Sequence, residues 1–324
     1  MSEFVIEAAV NAAKDLAVRH YPMPRANELK RALALLFSRH LGRLLSGAHF
    51  EAEWILVTGR SGSGKTTEIR QLLDRFNRSQ VPLPSGMPAK IVPCMLDGVT
   101  GWKAMGAMTL RALGYPLSAS HRHTQAELWS KVRWHAREQG VVGIYFDEAQ
   151  HALRGKSETE RAAVLDSYKT LLKSADWPMM LILSGVPELE AYVADHDQLL
   201  GKRTMVEFAD IDLPQDFQAI HELASSYALT SGMKLAEDLQ NADFYERLTA
   251  AAASRWGLLI DIVASAVMVA LEAGMAYLDR ESFVSAWVAR TGLAPGLTPY
   301  LNERYKGLYS SDRPFWVHEA KLRG

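Results

Sequence analysis

Two short stretches carry residue types at spacings that could do chemistry. In "WILVTGRSGSGKTTEIRQLL", residues 54–73, Gly59, Arg60, Ser61, Gly62, Ser63, Gly64, Lys65 and Thr66 fill every position of G-x-x-x-x-G-K-[ST], and Thr67 follows. Glycines at those places let main-chain N–H groups turn inward around the oxygens of a phosphate chain without Cβ clashes. A helix opening at Lys65 adds its unpaired N–H groups and positive dipole end to the same anion. Lys65 can then reach the β- and γ-phosphates, and Thr66 can offer a hydroxyl to Mg²⁺.

The second stretch, "VVGIYFDEAQHAL", sets Asp147 and Glu148 at the carboxyl end of an apolar run about eighty residues further on. Asp147 is suited to hold Mg²⁺ through water, and Glu148 to polarise an attacking water as general base. Adjacent carboxylates are common, and the upstream loop is what gives this pair its meaning. Ser184 ends the run "MMLILS". It either touches the γ-phosphate or its water, or caps the following helix. Lys202 and Arg203 precede a last short strand; of the two, Arg203 is the better candidate to complete a neighbouring subunit's site, and a solvated basic pair is the alternative.

Apolar runs at 54–58, 91–96, 141–146, 179–184 and 205–208 alternate with helical patterns. That alternation predicts an α/β fold with a parallel sheet between helices. Asn27 is a candidate cap for a helix from Leu29 to Leu45. Thr124 with Glu127 and Ser157 with Glu160 read as capping boxes. After Asp212 the pattern changes to helices alone, over 214–230, 243–255, 258–274 and 280–291, which predicts a small all-helical domain. The expected division is an N-terminal helical segment 1–50, a main domain 51–212, a helical domain 213–294 and an irregular tail 295–324.

The net charge of −1 hides an asymmetry. Residues 1–203 hold 26 Lys+Arg against 21 Asp+Glu (+5), and residues 204–324 hold 10 against 16 (−6). The basic front part permits a nucleic-acid surface, and ordinary surface variation explains it equally well. Cys94 is the single cysteine, so no intramolecular disulfide forms, which favours a reducing compartment. The charged N-terminus is a poor secretory signal. The most apolar helix is interrupted by Asp261 and Glu272, leaving ten uncharged residues, too few to cross a bilayer. A cytoplasmic protein without a membrane partner is expected.

These motifs in this order resemble the AAA+ class of P-loop NTPases and, within it, the TniB/TnsC group of bacterial transposition regulators. The carrying words are "YPMPRANEL", "GRSGSGKTT", "YFDEAQHAL" and "LSGVPEL", and the resemblance spans about residues 20 to 290. It implies a bacterial ATPase using ATP and Mg²⁺, with the helical domain as a lid. It also implies a homo-oligomeric ring or filament on duplex DNA that marks a target and recruits a transposase, with a target-site adaptor as a further partner. ATP would sit between subunits, which suits an arginine in trans at Arg203. DNA backbone contacts would fall on Lys103, Arg122 and Thr124, mainly to phosphates and with weak sequence preference.

ATPases of the ExeA kind share similar words, so a signalling or secretion-associated ATPase that does not bind DNA stays open as the alternative. A nucleotide-dependent scaffold without hydrolysis is disfavoured by the intact Lys65, Asp147 and Glu148. One departure stands out. The arginine that AAA+ lids often carry two residues after a glycine is missing after Gly257, and Arg255 is the only nearby substitute. The aromatic and basic tail either docks on a partner or packs on the helical domain.

Overall fold

The computed structural model describes residues 25–96, 98, 100–115, 123–194, 197–309 and 311–316, together with 5, 10, 11, 13, 14, 16 and 19–23. Two compact units emerge. One comprises residues 25–61 and 65–208; the other comprises 62–64, the described residues of 209–324 and those ahead of 25.

The first unit is built on a five-stranded sheet of β1 (Trp54–Thr58), β2 (Lys90–Met95), β3 (Val141–Asp147), β4 (Met180–Gly185) and β5 (Arg203–Glu207). Every pairing is parallel and the order is β2-β3-β4-β1-β5. Each residue of β1, β3 and β4 is buried, which is why those strands read as unbroken apolar runs rather than alternating ones. Around the sheet lie α1 (Ala26–Ser46), α2 (Lys65–Ser79), α3 (Trp102–Ala112), α4 (Gln125–Glu138), α5 (Glu158–Leu172), α6 (Glu188–Ala194) and α7 (Asp197–Leu200). The α/β architecture expected from the sequence is the one observed.

Local signals set several boundaries. Both capping boxes form: Thr124 accepts from Glu127 N and Ser157 from Glu160 N, with each glutamate returning to its cap residue. Asn27 is not a cap. Arg25, at φ −78° and ψ −11°, already continues the turn, so α1 begins at Ala26 and Asn27 lies inside its first turn. Helices α3 and α4 close on a stacked pair, Trp102 and Trp129, with ring centroids 4.1 Å apart. Trp129 Nε1 donates to Trp102 O at 3.0 Å. Gly106 permits this approach, since a Cβ there would stand 3.0 Å from Trp129 Nε1.

The second unit packs α8 (Phe217–Thr230), α9 (Ala242–Ala251), α10 (Trp256–Glu272) and α11 (Arg280–Thr291) around Phe244, Leu248, Val263, Phe283 and Trp287. It is not helical throughout: β6 (Lys234–Leu235) pairs in parallel with β7 (Tyr277–Leu278). Two-residue strands carry no periodicity, which is why the sequence reads as helices alone. The described part of the tail packs on this unit. Tyr300 is buried against Phe283 and Trp287, and Arg247 donates to the carbonyls of Pro299 and Asn302, both at 2.9 Å. A short helix α12 (Tyr305–Leu308) follows. No single described helix is long and apolar enough to cross a membrane.

His40 of α1 is 3 % exposed, and neither ring nitrogen has a hydrogen-bond partner among the described residues. Burial, with Arg43 close by, pushes its pKa from 6.5 down to about 4. The folded state therefore binds a proton more weakly than the unfolded chain. Stability fully present above about pH 6.5 is lost as pH falls through about 4, a difference of roughly 3 kcal/mol. Urea titrations of the parent and His40→Leu across that window are expected to show a fall smaller in the variant by about that amount. Parallel curves would show that His40 is protonated in the folded state.

Candidate functional site

The parallel register brings three segments to the carboxyl edge of the sheet. β3 lies beside β4 with Phe146 opposite Leu183, and β4 beside β1 with Gly185 opposite Thr58. The loop after β1, the acidic pair after β3 and the end of β4 are thereby neighbours. Gly59 N bonds Gly185 O at 3.2 Å, tying the root of the loop to the end of β4.

The loop has the backbone its glycines were read to allow. Gly62 and Gly64 take φ of 81° and 92°, values that favour glycine. Lys65 opens α2 as expected, is buried, and places Nζ 2.7 Å from Gly59 O and 3.1 Å from Arg60 O. Its ammonium thus lies against the loop that carries it. Ser63 is buried, Arg60 and Thr66 are half-buried, and Ser61 and Thr67 are exposed.

Asp147 is 2 % exposed, and its two oxygens differ. Oδ1 accepts from Ser184 Oγ at 2.6 Å and from Glu148 N at 3.1 Å. Oδ2 is buried with no hydrogen-bond partner. Ser184 spends its proton on Asp147 rather than on the next helix, so the hydroxyl of Tyr145, 3.0 Å away, must donate to Ser184. Tyr145 is itself raised well above the usual tyrosine value by burial and then by the charge of Asp147. It stays a neutral donor, and its hydroxyl also meets the Thr66 side chain. Sequence reading missed Tyr145. The available signal was a phenol two residues before Asp147 on the same strand face.

Glu148 follows β3 in the left-handed region, at φ 54° and ψ 41°. Its Oε2 accepts from Gln150 Nε2, a second residue that sequence reading did not single out.

The remaining candidates lie elsewhere. Arg203 opens β5 opposite Trp54, the first residue of β1, so it sits at the amino edge of the sheet. At about 3.3 Å per residue the length of β1 puts about 13 Å between that edge and the phosphate loop. Arg203 Nη1 is buried and unpartnered. Arg255, in the second unit, donates from Nη2 to Ser311 O at 2.8 Å and Asp312 O at 3.4 Å, so its guanidinium is committed to the tail. Lys103 is exposed in the first turn of α3. Thr124 caps α4 with its side chain, and Arg122 falls outside the described residues.

Residues 48–193 match the AAA domain family model. Solved structures of the same fold include the Aeropyrum pernix ORC1 protein in complex with DNA, with TM-score 0.62 and 17 % identity over 85 % of this chain and 69 % of that one. Cdc6p from Pyrobaculum aerophilum gives TM-score 0.58 and 16 % identity over 85 % and 70 %. The Aeropyrum pernix ORC2 protein, in ADPNP and ADP complexes, gives 0.53 and 15 % over 86 % and 74 %. No curated protein matches the sequence.

The Ser184–Asp147 bond is a hydrogen bond to a charged group between two buried side chains. Ser184→Ala is expected to lower stability by roughly 1.5–3 kcal/mol in chemical denaturation. A change within error would mean that bond is not formed.

Residues 48–193, with this loop and this strand order, thus form a domain of the P-loop AAA+ fold, and ATPase is the activity expected of such a domain.

Proposed function

We propose that this chain binds Mg²⁺ and ATP, hydrolyses ATP to ADP and phosphate, and oligomerises on duplex DNA as a TniB/TnsC-type regulator of bacterial transposition. In that role it would act in the cytoplasm, mark a target, and recruit a transposase with or without a target-site adaptor.

The observation that carries the catalytic part is Asp147 Oδ2, buried and unpartnered beside an oxygen that is fully bonded. Leaving such an atom unsatisfied costs about 1–3 kcal/mol, and a hard cation is the partner its chemistry suits. Thr66 and Asp147 supply oxygen donors fit to hold Mg²⁺, which when bound would neutralise charge on the β- and γ-phosphates. Lys65 would exchange the carbonyls of Gly59 and Arg60 for phosphate oxygens, while the loop amides orient the phosphate chain. Glu148 would take the proton of the attacking water. Ser184 and Tyr145 keep Asp147 turned. The amino-edge position of Arg203 favours a role in a neighbouring subunit's site over its own.

DNA binding is supported by the resemblance at "YFDEAQHAL" and "LSGVPEL" and by the charge of the α3–α4 segment. Residues 102–139 hold six Lys+Arg and two Asp+Glu. Lys103, Arg111 and Arg137 are exposed, as is Trp134 at 59 %. Such a surface suits phosphates more than base edges. A DNA complex of a protein with the same fold, Aeropyrum pernix ORC1, is in keeping with this reading.

Lys65→Ala is expected to abolish ATP binding. Glu148→Gln is expected to keep binding and lose turnover on the order of a hundredfold, read by phosphate release. Turnover equal to the parent would remove Glu148 from its role. For the DNA part, the protein with a non-hydrolysable ATP analogue and random duplex is expected to form rings or filaments by negative-stain microscopy. Lys103→Ala should weaken binding to all sequences alike and reduce the salt slope by about 1. An absence of DNA-dependent oligomers at moderate salt would favour the ExeA-like alternative.

A further inference from the structure

We propose that Gln150 is the positioning residue for Glu148, and that Gly185 exists to seat it. The inference rests on the reading of Glu148 as the general base.

Glu148 leaves the sheet in a left-handed conformation that disfavours a residue with a side chain. Neither a strand nor a helix aims its carboxylate, so some other contact must. A carboxylate can only accept, so the partner of Oε2 has to be the amide nitrogen of Gln150, whichever way that amide is first drawn. Gln150 is 2 % exposed, so its own amide has little water to turn to in place of Glu148. Its other end, Oε1, is buried and has no hydrogen-bond partner. Such an arrangement is costly as a stability device, and that cost is the mark of a group kept for its position.

The seat for this amide is made by Gly185. A Cβ on Gly185 would stand 2.2 Å from Gln150 Oε1 and 2.9 Å from Leu189 Cδ2. Gly185 lies in ordinary strand backbone at the end of β4, so space rather than backbone freedom requires glycine there. The same residue accepts Gly59 N, at the root of the phosphate loop. One neutral amide thus fixes Glu148 relative to β4 and the loop together. The amide is also neutral, so it orients the carboxylate without cancelling its charge.

The test uses the full chain with Mg²⁺ and ATP in single-turnover hydrolysis, alongside binding of a non-hydrolysable analogue. Gln150→Ala is expected to slow the chemical step on the order of tenfold, with analogue affinity within about twofold. In a Glu148→Gln background the same change should have no further effect, since both residues act through one group. Gly185→Ala, filling the seat from the other side, should slow the step likewise and serves if Gln150→Ala does not fold.

An unchanged rate in Gln150→Ala, or equal losses in both backgrounds, would overturn the assignment of Gln150. Full turnover in Glu148→Gln alone would instead overturn the reading of Glu148, and the two failures are distinguishable.

Discussion

A carboxyl group 2 % exposed at the end of a buried strand is the constraint around which the first unit is arranged. Asp147 can be kept there only if its near oxygen is bonded and its far oxygen has a use. The bond comes from Ser184, and Ser184 is in reach because β3 and β4 are parallel neighbours whose ends fall level. The same register sets Gly185 beside Thr58 and hence the loop beside the acids. A one-residue slip of β4 would turn Ser184 to the other face and leave Asp147 without its donor. The site is therefore a property of strand register first and of individual residues second.

That distinction explains what the sequence made legible. Contiguous features were plain: the glycine and lysine spacing of 59–66, the acidic pair, the buried strands and the two capping boxes all lie within a few residues of themselves. Contacts that depend on register were not. The chain of hydroxyls from Tyr145 through Ser184 to Asp147 joins residues 37 to 39 apart in sequence. Ser184 could be placed near the site from its strand end, but its choice between nucleotide and helix cap could not be made without knowing its neighbour. Asn27 and the β6–β7 pair mark the same limit at smaller scale. A cap depends on the conformation of the residue before it, and a two-residue strand leaves no pattern.

The arginines show how packing decides roles that composition leaves open. Arg203 and Arg255 were both candidates for reaching a phosphate. The structure places Arg203 at the far edge of its own sheet, whereas it gives Arg255 to the backbone carbonyls of Ser311 and Asp312. A guanidinium bonded to carbonyls in a 7 % exposed setting is a strut for the tail. The tail in turn contributes Tyr300 to the aromatic core of the helical unit. Residues read as irregular from their Pro, Gly and Tyr content are thus part of that unit's interior, with the aromatic rings supplying burial that periodicity did not announce.

The partners of the acidic pair have a common character. Ser184 and a backbone N–H bond Asp147, and the Gln150 amide bonds Glu148. Each orients a carboxylate without cancelling its charge. Had arginine or lysine filled these places, the same geometry would be held more strongly, but the negative charge would be spent on the protein itself. Neutral donors keep it available to whatever binds. The ammonium of Lys65 lies against the carbonyls of Gly59 and Arg60, neutral groups of the loop that carries it. On the proposed reading, the acidic pair is therefore oriented by dipoles that leave its charge free to meet the metal of a bound phosphate chain.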